Sequence, residues 1–253
     1  MPSLLSSLRA HRLAAFLRAA ASKFWHAQKA IAAAEFALVL PILVTVMLGS
    51  VEVARLIIFA RSVTQVANTA VEMLTETTAA TGSGTVTVNY IDLHFAADSA
   101  MVIFPQILQD AAQKGISWNN DISISMASVC FGSSATACTP ACTSNCTYAN
   151  VVWTSGPASE KRQCGVSLTA APDTAAPSKT TLPADVFGPG SIIVVDIVFN
   201  YTPMFGLGLF GTIPIKRSAY VAPRYVPATS SINYIKYAVI SGDDGMGTEC
   251  PGF

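Results

Sequence analysis

Six cysteines, Cys130, Cys138, Cys142, Cys146, Cys164 and Cys250, are the side chains of this sequence best equipped for chemistry, and all of them follow a long apolar segment. An even number confined to one side of such a segment is the pattern of disulfides formed in an oxidising compartment. Six cysteines allow fifteen full connectivities, so spacing alone assigns no pair. The Cys138, Cys142 and Cys146 run offers a rival use, zinc binding, but its three-residue spacings are weak and no histidine lies near. The only histidines are His11, His26 and His94.

Catalysis finds little to work with. A Ser-His or Cys-His dyad beyond the apolar segment would depend on His94 alone, between Leu93 and Phe95, where a structural histidine is the simpler expectation. The nucleophile elbow, phosphate loop, HExxH pair and dinucleotide fingerprint are all absent. Gly242-Asp243-Asp244-Gly245 reads as an acidic turn in preference to a weak calcium loop. The sequence therefore predicts no enzyme, no catalytic or metal-ligating residue and no cofactor.

Composition says where the chain lives. It is 51% hydrophobic and only 12% charged, about half the charged share of a soluble domain. The net charge is zero but polarised. Residues 1–30 carry Arg9, Arg12, Arg18, Lys23 and Lys29 with no acid, whereas beyond Arg61 thirteen acids face eight bases. That acidic remainder, with the basic run next to the apolar segment, excludes a nucleic-acid partner.

Phe36 to Gly49 is uncharged, and its fourteen residues reach about 21 Å as a helix, short of a hydrocarbon core of about 30 Å. Extension to Arg55 closes the gap. Glu52 and Arg55, at i and i+3, can then pair in or near the far interface, and Arg61 follows at the exit. The basic leader orients such a span with its N-terminus inside. The leader itself reads either as an amphipathic helix on an anionic leaflet or as a partnerless flexible segment. A cleavable secretory signal is disfavoured, because the basic region is too long and no small-x-small site follows the apolar run. Pro41 loosens the helix in a way membrane spans tolerate.

Val63, Val66, Ala67, Ala70, Val71 and Leu74 then recur at three- and four-residue steps, predicting one helix over about 33–78 that leaves the membrane and packs on an outer domain, ended by Gly82–Gly84. Short strands are expected at Thr85–Tyr90, Asp121–Cys130 (half-buried), Ser191–Tyr201 and Ile213–Tyr220, with a helix over Asp98–Lys114 capped by Asp98 or Ser99. Residues 131–190 lack apolar residues for a core of their own and read as a long, disulfide-stapled loop. Pro203–Gly211 is an unusually apolar loop, touching lipid or a partner, or else buried. The predicted organisation is a basic leader 1–30, a helix 31–80 and an α+β domain 81–253 built on a small antiparallel sheet. Glu35, at the near edge of the span, is costly without a partner and invites an assembly contact.

The run Ala33-Ala34-Glu35-Phe36-Ala37-Leu38-Val39-Leu40-Pro41, followed by Gly49, Glu52, Arg55, Gln65 and Ala67, resembles the N-terminal module of the TadE/TadG-like family. The strand at 191–201, its Tyr-Thr-Pro exit and the Gly/Leu/Phe loop resemble that family's C-terminal part more loosely. The resemblance implies a pilin-like fold and a minor pilin or pseudopilin of a tight-adherence (Flp-type) pilus machine. It would be single-pass in a bacterial inner membrane, with a cytoplasmic N-terminus and a periplasmic domain. Its implied partners are that membrane, other pilin or pilus-assembly subunits, and a prepilin peptidase. In the pseudopilin members the acid becomes the fifth residue after cleavage, which would place a cut between Ala30 and Ile31 and free an amine for Glu35 of a neighbour. Ala30 stands where the family has glycine. The alternatives are a signal-anchored periplasmic binding or envelope-sensing domain unrelated to pili, and a tethered hydrolase resting on His94.

Overall fold

The computed structural model describes residues 28–79, 85–133, 146–205, 211–226 and 232–253. Most of the basic leader, Gly82–Gly84, Cys138, Cys142 and the centre of the 203–211 loop lie outside them. The chain divides into two compact units, Met1–Ala54 and Arg55–Phe253.

A single helix, α1 (Gln28–Thr75), runs through both units. In the first unit it is exposed on every side: Phe36, Leu38, Ile42, Val46 and Met47 are each about 60% or more accessible. Pro41 lies inside it. The helix meets its polar side chains internally, since Thr45 Oγ1 donates to the Pro41 carbonyl at 2.8 Å and Ser50 Oγ to the Met47 carbonyl at 2.7 Å. This is how hydroxyls are accommodated where no water is available.

In the second unit α1 is the spine of the domain. Val63, Val66, Ala67, Ala70, Val71 and Leu74 are buried, as their spacing predicts. They pack in the same core as α2 (Tyr90–Ile103) and α3 (Gln106–Lys114), which cross at 89°. The predicted single helix over 98–114 is thus corrected to two. Pro105 cannot donate a backbone N–H, so it breaks the run and heads α3. The cap also moves: Asn89 receives the Ile91 and Asp92 amides while Asp92 receives the Asn89 amide, a capping box that starts α2 nine residues before Asp98. Gly115, at φ 67°, closes α3 in a left-handed conformation.

After a four-residue turn, α4 (Trp118–Asp121), the main sheet begins. Five antiparallel strands lie in the order β7-β6-β2-β3-β9. They are β2 (Ile122–Gly132), β3 (Tyr148–Ser155), β6 (Ser191–Tyr201), β7 (Ile213–Val221) and β9 (Gly247–Glu249). Two parallel pairs flank it: β1 (Thr87–Val88) with β8 (Lys236–Tyr237), and β4 (Thr169–Ala171) with β5 (Thr181–Pro183). The edges are β7, which carries Pro214, Lys216 and Arg217, and the three-residue β9.

The sheet is covered on both faces, so β2 is buried almost throughout and not half-buried as its alternation suggests. One face meets α1 and α2. The other holds Ala127, Val129, Phe131, Val151, Ile192 and Val194 beneath Leu168, Leu182, Val186 and Phe187. This corrects the expectation for 131–190. The segment contributes β3 to the middle of the sheet, and its later part is the layer over the second face. It lacks a core of its own because it shares the sheet's.

Candidate functional site

Two features single out α1 and its surroundings: an exposed apolar stretch in the first unit and a tightly built end of the second. The helix is the described element long and apolar enough to cross a membrane by itself, and none of its most apolar window is buried. The bent α2–α3 pair is also apolar, but Leu93, Ala96, Ala100, Phe104 and Ile107 are consumed by the core.

Of the residues predicted from sequence, Ala30 and Ile31 lie within α1, one turn in from its start. Glu35 is exposed on the helix. Glu52 and Arg55 are both half-buried on it. Arg55 places its guanidinium 5.7 Å from the centre of the Phe59 ring. Phe59 in turn is the hub of an aromatic knot. Its ring meets Phe104, Phe199 and Tyr201 edge-on at 5.2, 5.9 and 5.2 Å, and Phe104 meets Phe199 at 5.2 Å. Edge-to-face pairs of this kind each add about 0.5–1.5 kcal/mol beyond the area they bury. The knot joins α1 to the start of the helix break and to the end of β6, the point from which the apolar 203–211 loop departs. Met204 and Phe205 in that loop are exposed.

Beside the knot lies a charge cluster that sequence reading missed. Lys114, the last residue of α3, sits 2.5 Å from Asp110 and also bonds Asp121 and the Asn200 carbonyl, with its ammonium 5.4 Å from the centre of the Phe199 ring. Asp110 and Asp121 are buried. Two carboxylates share one cation, and burial, aided by Asp110, pushes Asp121 up to about 6 despite Lys114. The i, i+4 spacing of Asp110 and Lys114 was visible in the sequence, but the partnership with Asp121 needs the turn at Gly115.

A second missed cluster fastens the covering layer. Arg162 is almost wholly buried and donates to Asp196 of β6 through Nε at 2.8 Å and Nη2 at 3.2 Å, and to the Thr181 carbonyl at 2.9 Å. Ser218 of β7 donates to the same carboxylate. Cys164 is bonded to Cys250, with Cα atoms 5.2 Å apart, so the layer is tied to the strand at the far sheet edge. Cys130 and Cys146 are disulfide-bonded as well.

His94 Nε2 lies 2.7 Å from Asp244, and both are about half exposed. The histidine, helped by the Met246 amide, holds the Asp244 carboxyl below its ordinary range. Asp243 accepts from the Tyr237 hydroxyl at 2.6 Å and from the Gly245 amide at 2.8 Å. The acids of the 242–245 turn are thus engaged by the protein itself, in an arrangement that holds the turn against α2. Among the described residues no group of three or more His, Cys, Asp or Glu is placed to hold a metal ion.

Residues 30–72 match the family model described as TadE-like protein. No curated protein and no solved structure matches the chain. The matched segment is nearly the whole of α1, from the exposed apolar stretch through most of the buried spine. Over this segment the chain is thus similar to TadE-like proteins.

Proposed function

We propose that this chain is a membrane-anchored minor pilin or pseudopilin of a tight-adherence pilus system, with α1 as both anchor and assembly helix. The observation that carries the reading is the division of labour along α1. Its first part exposes apolar side chains all round, while its second part is the core of a domain with disulfides. A soluble helix does not leave such a surface open to water, and disulfides suit an oxidising compartment. The basic leader on one side and the acidic, disulfide-bonded domain on the other support an N-in, periplasm-out orientation in a bacterial inner membrane.

In this reading Glu35 is the assembly contact. It lies exposed on α1 next to the apolar run, where an acid gains most from a cation on a neighbouring subunit. Cleavage by a prepilin peptidase between Ala30 and Ile31 would supply such a cation as the new amine. Glu52 and Arg55 set the depth or register of the helix, with Arg55 seated against Phe59. The test is Glu35→Gln in the native host. Filament assembly should fall while membrane insertion stays intact, and normal piliation by this variant would overturn the role of Glu35. The N-terminal sequence of the protein extracted from its membrane decides processing. A chain beginning at Ile31 supports the pseudopilin form, and one beginning at Met1 or Pro2 removes the amine from the scheme.

A further inference from the structure

In the second unit, a groove of about 510 Å³ lies between one face of α1 and the edge strand β7. It is lined by Ile57, Ala60, Arg61, Thr64, Gln65 and Arg217. Two of these six residues are cations and none is an acid. Neither Arg61 nor Arg217 takes part in an ion pair among the described residues. The Arg217 guanidinium makes a bond through Nη1 to the Lys216 carbonyl at 2.9 Å, which leaves four of its five N–H donors for another acceptor. The cavity on the other side of Arg217 differs. It contains Glu160 and Asp196 beside Lys179 and Lys216, and Asp196 is already held by Arg162 and Ser218. Arg217 lines both, and the groove on α1 is distinguished by having no acid among its lining residues.

The order of side chains along the groove is informative. Ile57, Arg61, Thr64 and Gln65 stand at i, i+4, i+7 and i+8, on one face of the helix. Ile57 is 48% exposed. The face therefore passes from apolar to cationic to neutral polar within about two turns, over about 12 Å. That is the order in which a lipid leaflet presents acyl carbon, phosphate and water. By helical spacing the same face runs back through Val53 and Val46, both more than half exposed.

We propose that Arg61 and Arg217 form a binding site for the phosphate of an anionic phospholipid headgroup, with Ile57 against its glycerol and upper acyl carbons. The site takes one helical and one strand residue, so it exists only when the domain is folded onto α1. A bound lipid would fix the rotation of the domain about α1 with respect to the leaflet. The inference rests on α1 being a membrane span in the orientation given above, and its test separates the two.

The test is native mass spectrometry of the detergent-solubilised full-length chain, titrated with phosphatidylglycerol, phosphatidylcholine or inorganic phosphate. Phosphatidylglycerol should bind the wild type more tightly than phosphatidylcholine. A basic residue near an anionic surface contributes about fivefold in affinity, so Arg61→Gln with Arg217→Gln should weaken it about 30-fold. The charge-conserving pair Arg61→Lys with Arg217→Lys should retain most binding, and Lys179→Gln, in the neighbouring cavity, should change nothing. Equal lipid binding by wild type and the double glutamine variant would overturn the site. So would displacement of the lipid by millimolar inorganic phosphate, which would make it a free-anion site. Loss of self-association with unchanged lipid binding would assign the two arginines to a protein partner and likewise overturn it. Alkaline extraction of native membranes reports separately on the span: a protein released by carbonate refutes the anchor, whereas a retained protein with no lipid preference refutes only the groove.

Discussion

Asp121→Asn should make this protein more stable at neutral pH, and the gain should vanish in acid. In the folded chain the Asp121 carboxyl titrates at about 6, against an ordinary 3.8, with burial as the main cause and Asp110 as a contributor. A raised acid pKa means that the folded state binds more protons than the unfolded state between those two values. Stability from this group is therefore fully present below about pH 3.8 and is lost as pH rises through 6. A shift of about two units corresponds to about 3 kcal/mol. Asparagine keeps the shape and an acceptor for Lys114 but cannot ionise, and Lys114 remains paired with Asp110 at 2.5 Å. Urea unfolding of the full-length chain in detergent, followed by the fluorescence of buried Trp153, measures the difference between variant and wild type. That difference should climb by about 2 kcal/mol between pH 4 and pH 7, with most of the change between pH 4 and 6. A flat difference, or one that favours the wild type increasingly toward pH 7, would refute the view that burial outweighs the lysine. Lys114→Met should have the opposite sign, costing about 3–5 kcal/mol at pH 7, because two buried carboxylates would then share no cation.

Three further outcomes follow from the same geometry. Phe59→Ala removes the hub of the aromatic knot and should cost about 3–5 kcal/mol, read as a lower Tm, with membrane insertion unaffected. Replacing Cys164 and Cys250 by serine opens a crosslink between residues 86 apart and should cost about 3–5 kcal/mol in urea unfolding, with faster proteolysis of the 157–187 layer as a second readout. His94→Ala should raise the Asp244 titration toward its ordinary value in carboxyl-detected NMR, since the histidine is the leading cause of its depression.

The helices and the strands with strong periodicity could be read directly, because local spacing decides them. Val63 to Leu74 turn one face inward at the expected steps, and Ser191–Tyr201 is a strand with the expected bounds. What sequence could not resolve depended on distant partners. Ser123 and Ser125, alternating with Ile122, Ile124 and Met126, made β2 look like a strand with a wet face, yet Ser125 is buried, and Ala127 and Val129 on the same face lie under a layer contributed by residues some forty to sixty positions later. β3 was hidden because Tyr148–Ser155 follows a stretch dominated by Ser, Thr and Cys, and its apolar core is only Val151-Val152-Trp153. The Lys114 and Arg162 clusters were invisible for the same reason: nothing local distinguishes a lone basic residue in solvent from one that turns inward to a carboxylate on another element. The pairing of Cys164 with Cys250 occurs in several of the fifteen full connectivities, and spacing does not choose among them; β9, paired with β3, delivers Cys250 to Cys164.

The two ends of the main sheet have a bearing on how copies of this protein can be crowded together. An open row of backbone donors and acceptors invites another chain to add a strand, and a surface protein held at high density would be exposed to that hazard continually. Here β9 is only three residues long, and β7 places a proline and two cations, Pro214, Lys216 and Arg217, along the other rim. Proline supplies no amide hydrogen, and the cations repel an identical rim brought alongside. Edge-to-edge addition of one sheet to another is thereby disfavoured even where copies are crowded, and the open face of α1 is left as the less hazardous surface for contact.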